Sequence, residues 1–227
     1  MDIEQSDISS AGYPRLIFLE PIIRTILTGP LDVNCYIVGC PHSRECVIID
    51  PGGHGDRILE LLESLDLNPV ALIDTHGHFD HVGGNAYLMA RMDSLRLYLH
   101  TDDLSFLRNA REHADYWSMP FEDSPEPTNL LQGGEKIEVG QLRLKIIHIP
   151  GHSPGGISIF LPGHVFTGDA LFEGSIGRTD LPGGDYDLLV SSIREKLLVL
   201  PGDTIVHPGH GPETTIAEER RNNPFLQ

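Results

Sequence analysis

The sequence predicts an α/β protein in which two mixed sheets pack face to face with helices outside, a four-layer arrangement. Both halves of the chain contain short apolar runs typical of strands, and both follow these runs with apolar residues at helical spacing. Four of the runs end in loops that carry histidine, aspartate and glycine. If these strands share one orientation, the four loops open on one sheet edge, where ligand sites of α/β proteins tend to lie.

The N-terminal part of the chain is predicted to begin with a tail and continue with short strands. We expect residues 1–14 to form a flexible tail and residues 15–227 to form one domain, because 227 residues can bury a single substantial core. The opening strands are short apolar runs separated by Gly-Pro and polar turns. They are residues 15–19, 22–27, 35–38 and 46–49.

Helices and strands alternate through the rest of the first half. Ile58, Leu62 and Leu65 recur at helical spacing between residues 56 and 67, and Pro69 lies just beyond them. An apolar run at residues 70–73 then predicts a buried strand. The remaining elements of this half are a helix at 84–92, a strand at 95–99 and a helix at 102–111.

The second half is predicted to contain strands followed by an amphipathic helix. That helix spans residues 185–200 and places Leu188, Leu189, Ile193 and Leu197 on one face. A last helical turn or two is predicted at 215–221. The strands of this half are residues 136–139, 142–147, 157–161, 165–166 and 204–206.

Composition limits the class of partner. The formal net charge of −17 argues against a nucleic acid, which requires clustered Lys and Arg. No apolar stretch approaches the roughly 18–20 residues needed to cross a bilayer, and the acidic N-terminus lacks a signal-peptide pattern. We therefore expect a cytoplasmic protein with no membrane partner and a small-molecule substrate. The three cysteines are too few for a disulfide framework and are predicted to lie in the core.

A long segment without regular structure is predicted at residues 112–129, where Pro120, Pro125 and Pro127 stand among acidic residues. A loop of that length inside a domain is often functional. Its residues Trp117, Met119 and Phe121 either line a substrate cleft or pin the loop to the core. The sequence leaves both interpretations open.

The most informative stretch is the loop after the apolar run at residues 70–73. It places His76, His78, Asp80 and His81 within six residues, and imidazole and carboxylate are ligands that suit zinc, iron and manganese. The three other loops add His152, Asp169 and His210.

Seven candidate ligands exceed the four that one tetrahedral zinc takes, and they fit two ions that share a carboxylate. We assign His76, His78 and His152 to the first ion. Asp80, His81 and His210 are assigned to the second ion, and Asp169 bridges the two. We expect two divalent ions, with zinc as the first choice and iron or manganese as alternatives. Asp50, at the end of another strand, is predicted to orient a ligating histidine.

These motifs, in this order, resemble those of the metallo-β-lactamase superfamily. The matching stretches are Thr75 to His81, Gly151-His152, Thr167-Gly168-Asp169 and Pro208-Gly209-His210-Gly211. The resemblance covers nearly the whole chain from about residue 17. It implies the αββα sandwich fold, and the metal ligands of the family fall on the seven residues already chosen.

Within that superfamily, the sequence from Gly168 to Asp180 and the ending from Gly209 to Leu226 resemble the glyoxalase II-like hydrolases. Long glyoxalase II enzymes carry Lys where Arg178 stands, then aromatic substrate contacts, and a C-terminal helical domain. Thr179 and Asp180 stand in place of the aromatics here, so the short, single-domain type is the nearer match. Arg178 is a candidate contact for a substrate carboxylate, or it pairs with a buried aspartate such as Asp180.

The resemblance implies hydrolysis of a thioester such as S-lactoylglutathione by a metal-bridging hydroxide, with Asp80 holding or accepting the proton of the water. The main alternative is a persulfide dioxygenase, which shares the Gly-Arg-Thr-Asp element and uses one iron held by the counterparts of His76, His152 and Asp169. Lactone or β-lactam hydrolysis and a non-enzymatic metal-binding role are lesser alternatives. The oligomeric state does not follow from the sequence.

Overall fold

Two six-stranded sheets pack face to face in the computed structural model, which describes residues 20–92 and 94–227. Apolar side chains of both sheets form the core between them, and helices cover the two outer faces. The predicted αββα sandwich is therefore confirmed. The predicted tail at residues 1–14 and the predicted strand at residues 15–19 lie outside the described residues.

The first sheet has its strands in chain order. Its first three strands pair antiparallel and the others pair parallel, so the chain must cross over between parallel neighbours. Helices supply these crossovers. The strands are β1 (Ile22–Thr28), β2 (Val33–Gly39), β3 (Glu45–Ile49), β4 (Asn68–Ile73), β5 (Arg96–His100) and β6 (Asn129–Leu131).

The second sheet has the order β14-β13-β10-β9-β8-β7, and only β10 and β13 pair parallel. Its strands are β7 (Lys136–Val139), β8 (Leu142–His148), β9 (Ile157–Leu161), β10 (His164–Gly168), β13 (Ile205–Pro208) and β14 (Thr214–Thr215). A separate hairpin, β11 (Leu171–Phe172) and β12 (Ser175–Ile176), lies between β10 and the last helices in the chain.

The alternation of apolar and charged residues explains the inner face of the second sheet. In β8, Leu142, Leu144 and Ile146 are buried, whereas Arg143 and Lys145 between them are exposed. The buried residues meet side chains of the first sheet such as Val47 and Ile49. Successive side chains of a strand point to opposite faces, so this pattern fixes the register of β8 on the core.

Helices occupy the outer layers. Ile58 and Leu62 of the first helix pack on the first sheet, and Leu189, Ile193 and Leu197 pack on the second. The helices are α1 (Gly55–Ser64), α2 (Phe79–Val82), α3 (Asn85–Met89), α4 (Leu104–Arg108), α5 (Ala110–Tyr116), α6 (Tyr186–Ser192) and α7 (Ile216–Asn222). A 3₁₀ turn, Thr101–Asp103, precedes α4, and a π turn, Ile193–Leu197, follows α6.

Several details differ from the sequence-based expectation, which did not include the short strands β6, β11, β12 and β14. Leu188 is 43% exposed, because the buried stripe of this helix is centred on Leu189 and Ile193, and Leu188 lies at its edge. The predicted helix at 102–111 is split, because Asn109 leaves the helical region between α4 and α5. The segment predicted to lack regular structure from residue 112 begins only after Tyr116, where α5 ends.

Among the described residues, no helix is long and apolar enough to cross a membrane. The three cysteines, Cys35, Cys40 and Cys46, are buried and free, as expected for core residues.

A pair of imidazoles in the second sheet, the half-buried His164 of β10 and the buried His207 of β13, leads to a prediction about stability. His207 donates from Nδ1 to Glu213 at 2.8 Å, and its Nε2 lies 3.0 Å from Nδ1 of His164. Burial lowers the pKa of both histidines, and His164 also lowers the pKa of His207, while Glu213 opposes both shifts. The folded protein therefore holds them neutral at a pH where the unfolded chain binds protons.

Because the folded pKa values lie below the unfolded value of about 6.5, this pair stabilises the protein above pH 6.5 and loses that contribution as the pH falls below it. We expect His207→Gln to flatten the decline of melting temperature between pH 7.5 and pH 5 (roughly the window around that value). His42→Gln, at an exposed turn, serves as the control and keeps the wild-type slope. An unchanged slope in His207→Gln would refute the assignment.

Candidate metal centre

The seven residues predicted as ligands come together at one edge of the sandwich. Each follows the end of a strand: His76 to His81 follow β4, His152 follows β8, Asp169 follows β10 and His210 follows β13. Close approach of the loops requires glycine at Gly209, where a Cβ atom would lie 2.3 Å from Oδ1 of Asp169. The sequence thus brings four separate loops to one point.

Three imidazole nitrogens form the first cluster. Nε2 of His76 lies 3.0 Å from Nδ1 of His78, and Nε2 of His152 lies 3.3 Å and 3.1 Å from these two atoms. Zinc binds imidazole at about 2.0–2.1 Å, so tetrahedral ligands stand about 3.3 Å apart. The three nitrogens are therefore spaced as ligands of one ion.

The protonation states of this cluster also suit a metal. Burial and the neighbouring imidazoles lower the pKa of His76 well below its ordinary value, and burial with the adjacent His152 lowers the pKa of His78 to about 3. Both rings are neutral at physiological pH and offer a lone pair. Neutral imidazole is the form that binds metal.

The second cluster contains Asp80, His81 and His210. Oδ2 of Asp80 lies 3.3 Å from Nε2 of His210 and 3.6 Å from Nε2 of His81. Burial alone would raise the pKa of Asp80, but His81 and His210 lower it below its usual range. His210 has a side chain 30% exposed, whereas that of Asp80 is 10% exposed, so this cluster faces the open side of the site.

Asp169 lies between the two clusters. Its Oδ1 is 3.4 Å from Nε2 of His81, and its Oδ2 is 3.7 Å from Nε2 of His152 and 3.8 Å from Nε2 of His210. Burial opposes ionisation of Asp169, but His81, His152 and His210 hold its pKa well below the usual range. An ionised carboxylate therefore reaches ligand atoms of both clusters.

Two buried polar atoms of the site lack a hydrogen-bond partner among the described residues. They are Nε2 of His81 and Oδ1 of Asp169, although buried polar atoms are almost always paired. Burial would lower the pKa of His81, yet Asp169, Asp80 and Asp50 together raise it well above its ordinary value. Three carboxylates around one imidazole are stabilised by positive charge. A divalent cation supplies that charge, so the residues present fit a metal centre.

Hydrogen bonds on the far side of the rings fix which nitrogen faces the site. Nδ1 of His81 donates to Oδ2 of Asp50 at 3.0 Å, and Nδ1 of His152 donates to the carbonyl oxygen of Arg178 at 2.8 Å. Asp50 also accepts from the backbone N–H and the hydroxyl of Thr75, both at 2.7 Å. These bonds leave Nε2 of each ring free for a metal.

Asp50→Asn is expected to weaken metal binding about 10- to 100-fold, the usual range for partners that orient a ligating histidine. All three partners donate to Asp50, so an amide would turn an N–H group toward a donor. Competition against a chromophoric chelator measures the change. Asp56→Asn, an exposed carboxylate at the start of α1, is the control, and equal affinities of the two variants would contradict this role.

Arg178 makes its contact with the site through its backbone. Its guanidinium pairs with the carboxylate of Asp180 through two bonds of 2.8 Å, and the side chain of Asp180 is 69% exposed rather than buried. The carbonyl oxygen of Arg178 holds His152. A sequence gives no signal for a carbonyl contact of this kind.

Two aromatic rings that the sequence did not identify flank the clusters. The ring of Phe106 in α4 lies 5.5 Å from that of His78, and the ring of Phe172 in β11 lies 6.5 Å from that of His210. Each ring therefore lies beside a different cluster. Their apolar character alone does not distinguish them from core residues.

The segment after α5 is pinned to the protein. Arg108 pairs with Glu126 and Arg111 with Asp123, both at 2.8 Å. Met119 and Phe121 pack against the apolar cluster beneath α4 and α5. Trp117 is 51% exposed. Met119 and Phe121 therefore pin this segment to the core, which is one of the two interpretations that the sequence left open.

Another histidine pair, His100 and His148, lies apart from the two clusters. Their rings stack at 4.0 Å and 17°, and Nε2 of His148 donates to the carbonyl oxygen of Pro154 at 2.9 Å. Nδ1 of His100 accepts from the backbone N–H of Asp102 at 3.2 Å, so one nitrogen of each ring is already engaged by the backbone.

Comparison with known proteins agrees with the geometry. The family model described as the metallo-beta-lactamase superfamily matches residues 28–210. A hydroxyacylglutathione hydrolase, GloC of Haemophilus influenzae, is 41% identical over 196 residues, which cover 85% of this chain and 92% of that protein.

Solved structures extend the comparison. A crystal structure of TTHA1623 in a di-iron-bound form has a TM-score of 0.83 and 42% identity, and the match covers 89% of this chain and 100% of that one. The structure of ETHE1 from Myxococcus xanthus has a TM-score of 0.75 and 31% identity over 89% of this chain and 83% of that one. The family model spans most of the sequence and includes all seven converging residues. The chain therefore belongs to the metallo-β-lactamase superfamily and has the fold of a metal-dependent hydrolase.

Proposed function

We propose that this protein is a two-metal hydrolase that cleaves thioesters of the hydroxyacylglutathione type. The observation that carries the proposal is the position of Asp169, whose two oxygens reach ligand atoms of both clusters. The likeness to GloC supports the substrate class.

In this proposal His76, His78 and His152 would hold the first ion, and Asp80, His81 and His210 would hold the second. Asp169 would be shared by both. Zinc is our first choice, and the same donors suit iron or manganese. The likeness to a di-iron-bound structure supports a site for two ions.

When bound, two such ions polarise the substrate carbonyl and lower the pKa of a water to about 7. The residues of the chain then have separate tasks. Asp80 is ionised and lies toward the open side of the site, so its carboxylate can hold or accept a proton from the attacking water. The leaving thiol has a pKa of about 8.5 and departs as thiolate without a strong general acid.

The walls of the site supply orientation. Phe106 lies beside the first cluster and Phe172 beside the second, so each cluster has an apolar neighbour. His152 and His81 are held by the carbonyl of Arg178 and by Asp50, so their rings need no reorganisation when substrate enters. The side chain of Arg178 remains a proposed substrate contact, which requires a substrate carboxylate to compete with Asp180.

The alternative is a persulfide dioxygenase with one iron held by His76, His152 and Asp169. The Gly-Arg-Thr-Asp element at residues 177–180 and the likeness to the ETHE1 structure favour it. Both chemistries use the same donor types, so the reaction and the number of bound ions distinguish them.

Two assays on the purified protein separate these functions. Thiol release from S-lactoylglutathione, with two metal ions per chain, is the expected result. Oxygen uptake and sulfite formation from glutathione persulfide, with one iron per chain and no thiol release from the thioester, would overturn the hydrolase proposal. A lactone and a β-lactam complete the panel as tests of the lesser alternatives.

A further inference from the structure

A buried carboxylate outside the ligand set links the loops that carry the first cluster. Asp103 is 0% exposed and lies at the start of α4. Its Oδ2 accepts from the backbone N–H of Gly77 and from the hydroxyl of Ser153, both at 2.8 Å. Its Oδ1 accepts from the backbone N–H of Gly155 at 2.6 Å.

The donors to Asp103 lie in the loops that carry the first cluster. Gly77 stands between His76 and His78, and Ser153 follows His152 directly. One carboxylate therefore binds the two loops that together provide all three nitrogens of the first cluster. Hydrogen bonds to a charged acceptor are short and roughly twice as strong as neutral ones, and all three of these are short.

The side chain of Asp103 does not cap α4. An aspartate directly before a helix ordinarily caps it by accepting from a backbone N–H group two or three residues later. The side chain of Asp103 makes no such bond to α4. Both oxygens instead face the ligand loops, so local helix formation does not account for the residue.

The backbone at this point is shaped around the same residue. A Cβ atom on Gly77 would lie 2.8 Å from the carbonyl oxygen of Asp103, and one on Gly155 would lie 2.7 Å from its backbone nitrogen. Both loops therefore approach Asp103 as closely as glycine allows. The same helix carries Phe106, whose ring borders His78.

We propose that Asp103 is a positioning residue for the first metal ion, because it clamps the His76–His78 loop to the His152 loop. This inference rests on the proposed metal centre and deepens it. Without the clamp, the two loops can shift relative to each other, and the three nitrogens lose the spacing of about 3.3 Å that a tetrahedral ion requires. The second cluster has no hydrogen bond to Asp103 among the described residues, so its ion depends on Asp103 much less.

The test measures the affinities of both ions by chelator competition and follows Co²⁺ absorption in the full-length protein. Asp103→Asn keeps the size of the side chain, removes its charge and turns an N–H group toward a donor. We expect it to weaken the ion at the three histidines at least about tenfold, as outer partners of metal ligands do, and to change the Co²⁺ spectrum of that ion. A His210→Ala background, which lacks a ligand of the second ion, identifies which affinity changed.

Two further variants make the result specific. Asp102→Asn removes a neighbouring, exposed carboxylate and leaves the clamp intact, so both affinities and the spectrum should match wild type. Ser153→Ala removes one of the three donors and should give a smaller loss at the same ion. If Asp103→Asn does not fold, Ser153→Ala decides the question.

Wild-type affinity and spectrum in Asp103→Asn, or in Ser153→Ala where that variant decides, would overturn the inference. An equal loss in Asp102→Asn would also overturn it, because charge alone would then explain the effect. Failure of the proposed function has a different signature, since the wild-type protein would then release no thiol from S-lactoylglutathione, whatever the metal affinity at the three histidines.

Discussion

Asp169→Asn is expected to weaken the binding of both metal ions by more than about 100-fold, beyond the range typical of residues that only orient ligands. Asp169 is the residue whose oxygens reach both His152 and the pair His81 and His210. An amide offers one acceptor instead of two and carries no charge. Thioester hydrolysis should fall with metal content and recover only partly in excess zinc.

Thermal unfolding gives a second measure of the same change. Zinc at 100 times its dissociation constant stabilises a one-site protein by about 2.7 kcal/mol, and a 100-fold weaker site at the same zinc concentration retains about 0.4 kcal/mol. The zinc-induced rise in melting temperature should therefore nearly disappear in Asp169→Asn. Asp203→Asn, at an exposed turn before β13, should keep the full rise. A full rise in Asp169→Asn would show that the carboxylate does not bridge.

Asp80→Asn is expected to slow the reaction without removing the first ion. Loss of a proton acceptor typically costs about 10²- to 10⁴-fold in rate, so kcat should fall by that amount while KM changes little. The ion at the three histidines should remain, because Asp80 has its close contacts with His81 and His210. Rapid-kinetic assays and metal analysis of the same preparation measure both effects.

Glu122→Gln, an exposed carboxylate in the segment after α5, is the control for this substitution and should behave as wild type. Wild-type kcat in Asp80→Asn would remove Asp80 from the reaction. Loss of both ions would instead mean that the two clusters do not bind independently.

The sequence predicted which residues would converge because their signal is local. His76 and His81 belong to one short loop, and His152 and His210 each stand beside glycines directly after an apolar run. A strand that ends in such a loop delivers its polar side chains to the sheet edge whatever the rest of the fold does. The same local signals predicted most strands of both sheets but not the short edge strands β6 and β14.

The contacts that orient the ligands were less predictable because they join distant residues. Asp103 reaches Gly77 and Ser153, which lie 26 and 50 residues away, and nothing in Thr101-Asp102-Asp103 distinguishes the buried carboxylate from its exposed neighbour. Arg178 acts through a carbonyl oxygen, which every residue possesses. Asp50 was predictable only because it ends a strand beside β4.

The most direct test of the central claim is anomalous diffraction from crystals of the zinc-loaded protein at the zinc absorption edge. Two peaks are predicted, one among His76, His78 and His152 and one among Asp80, His81 and His210, with the carboxylate of Asp169 between them. A single peak, or a peak located away from these seven side chains, would contradict the two-metal centre.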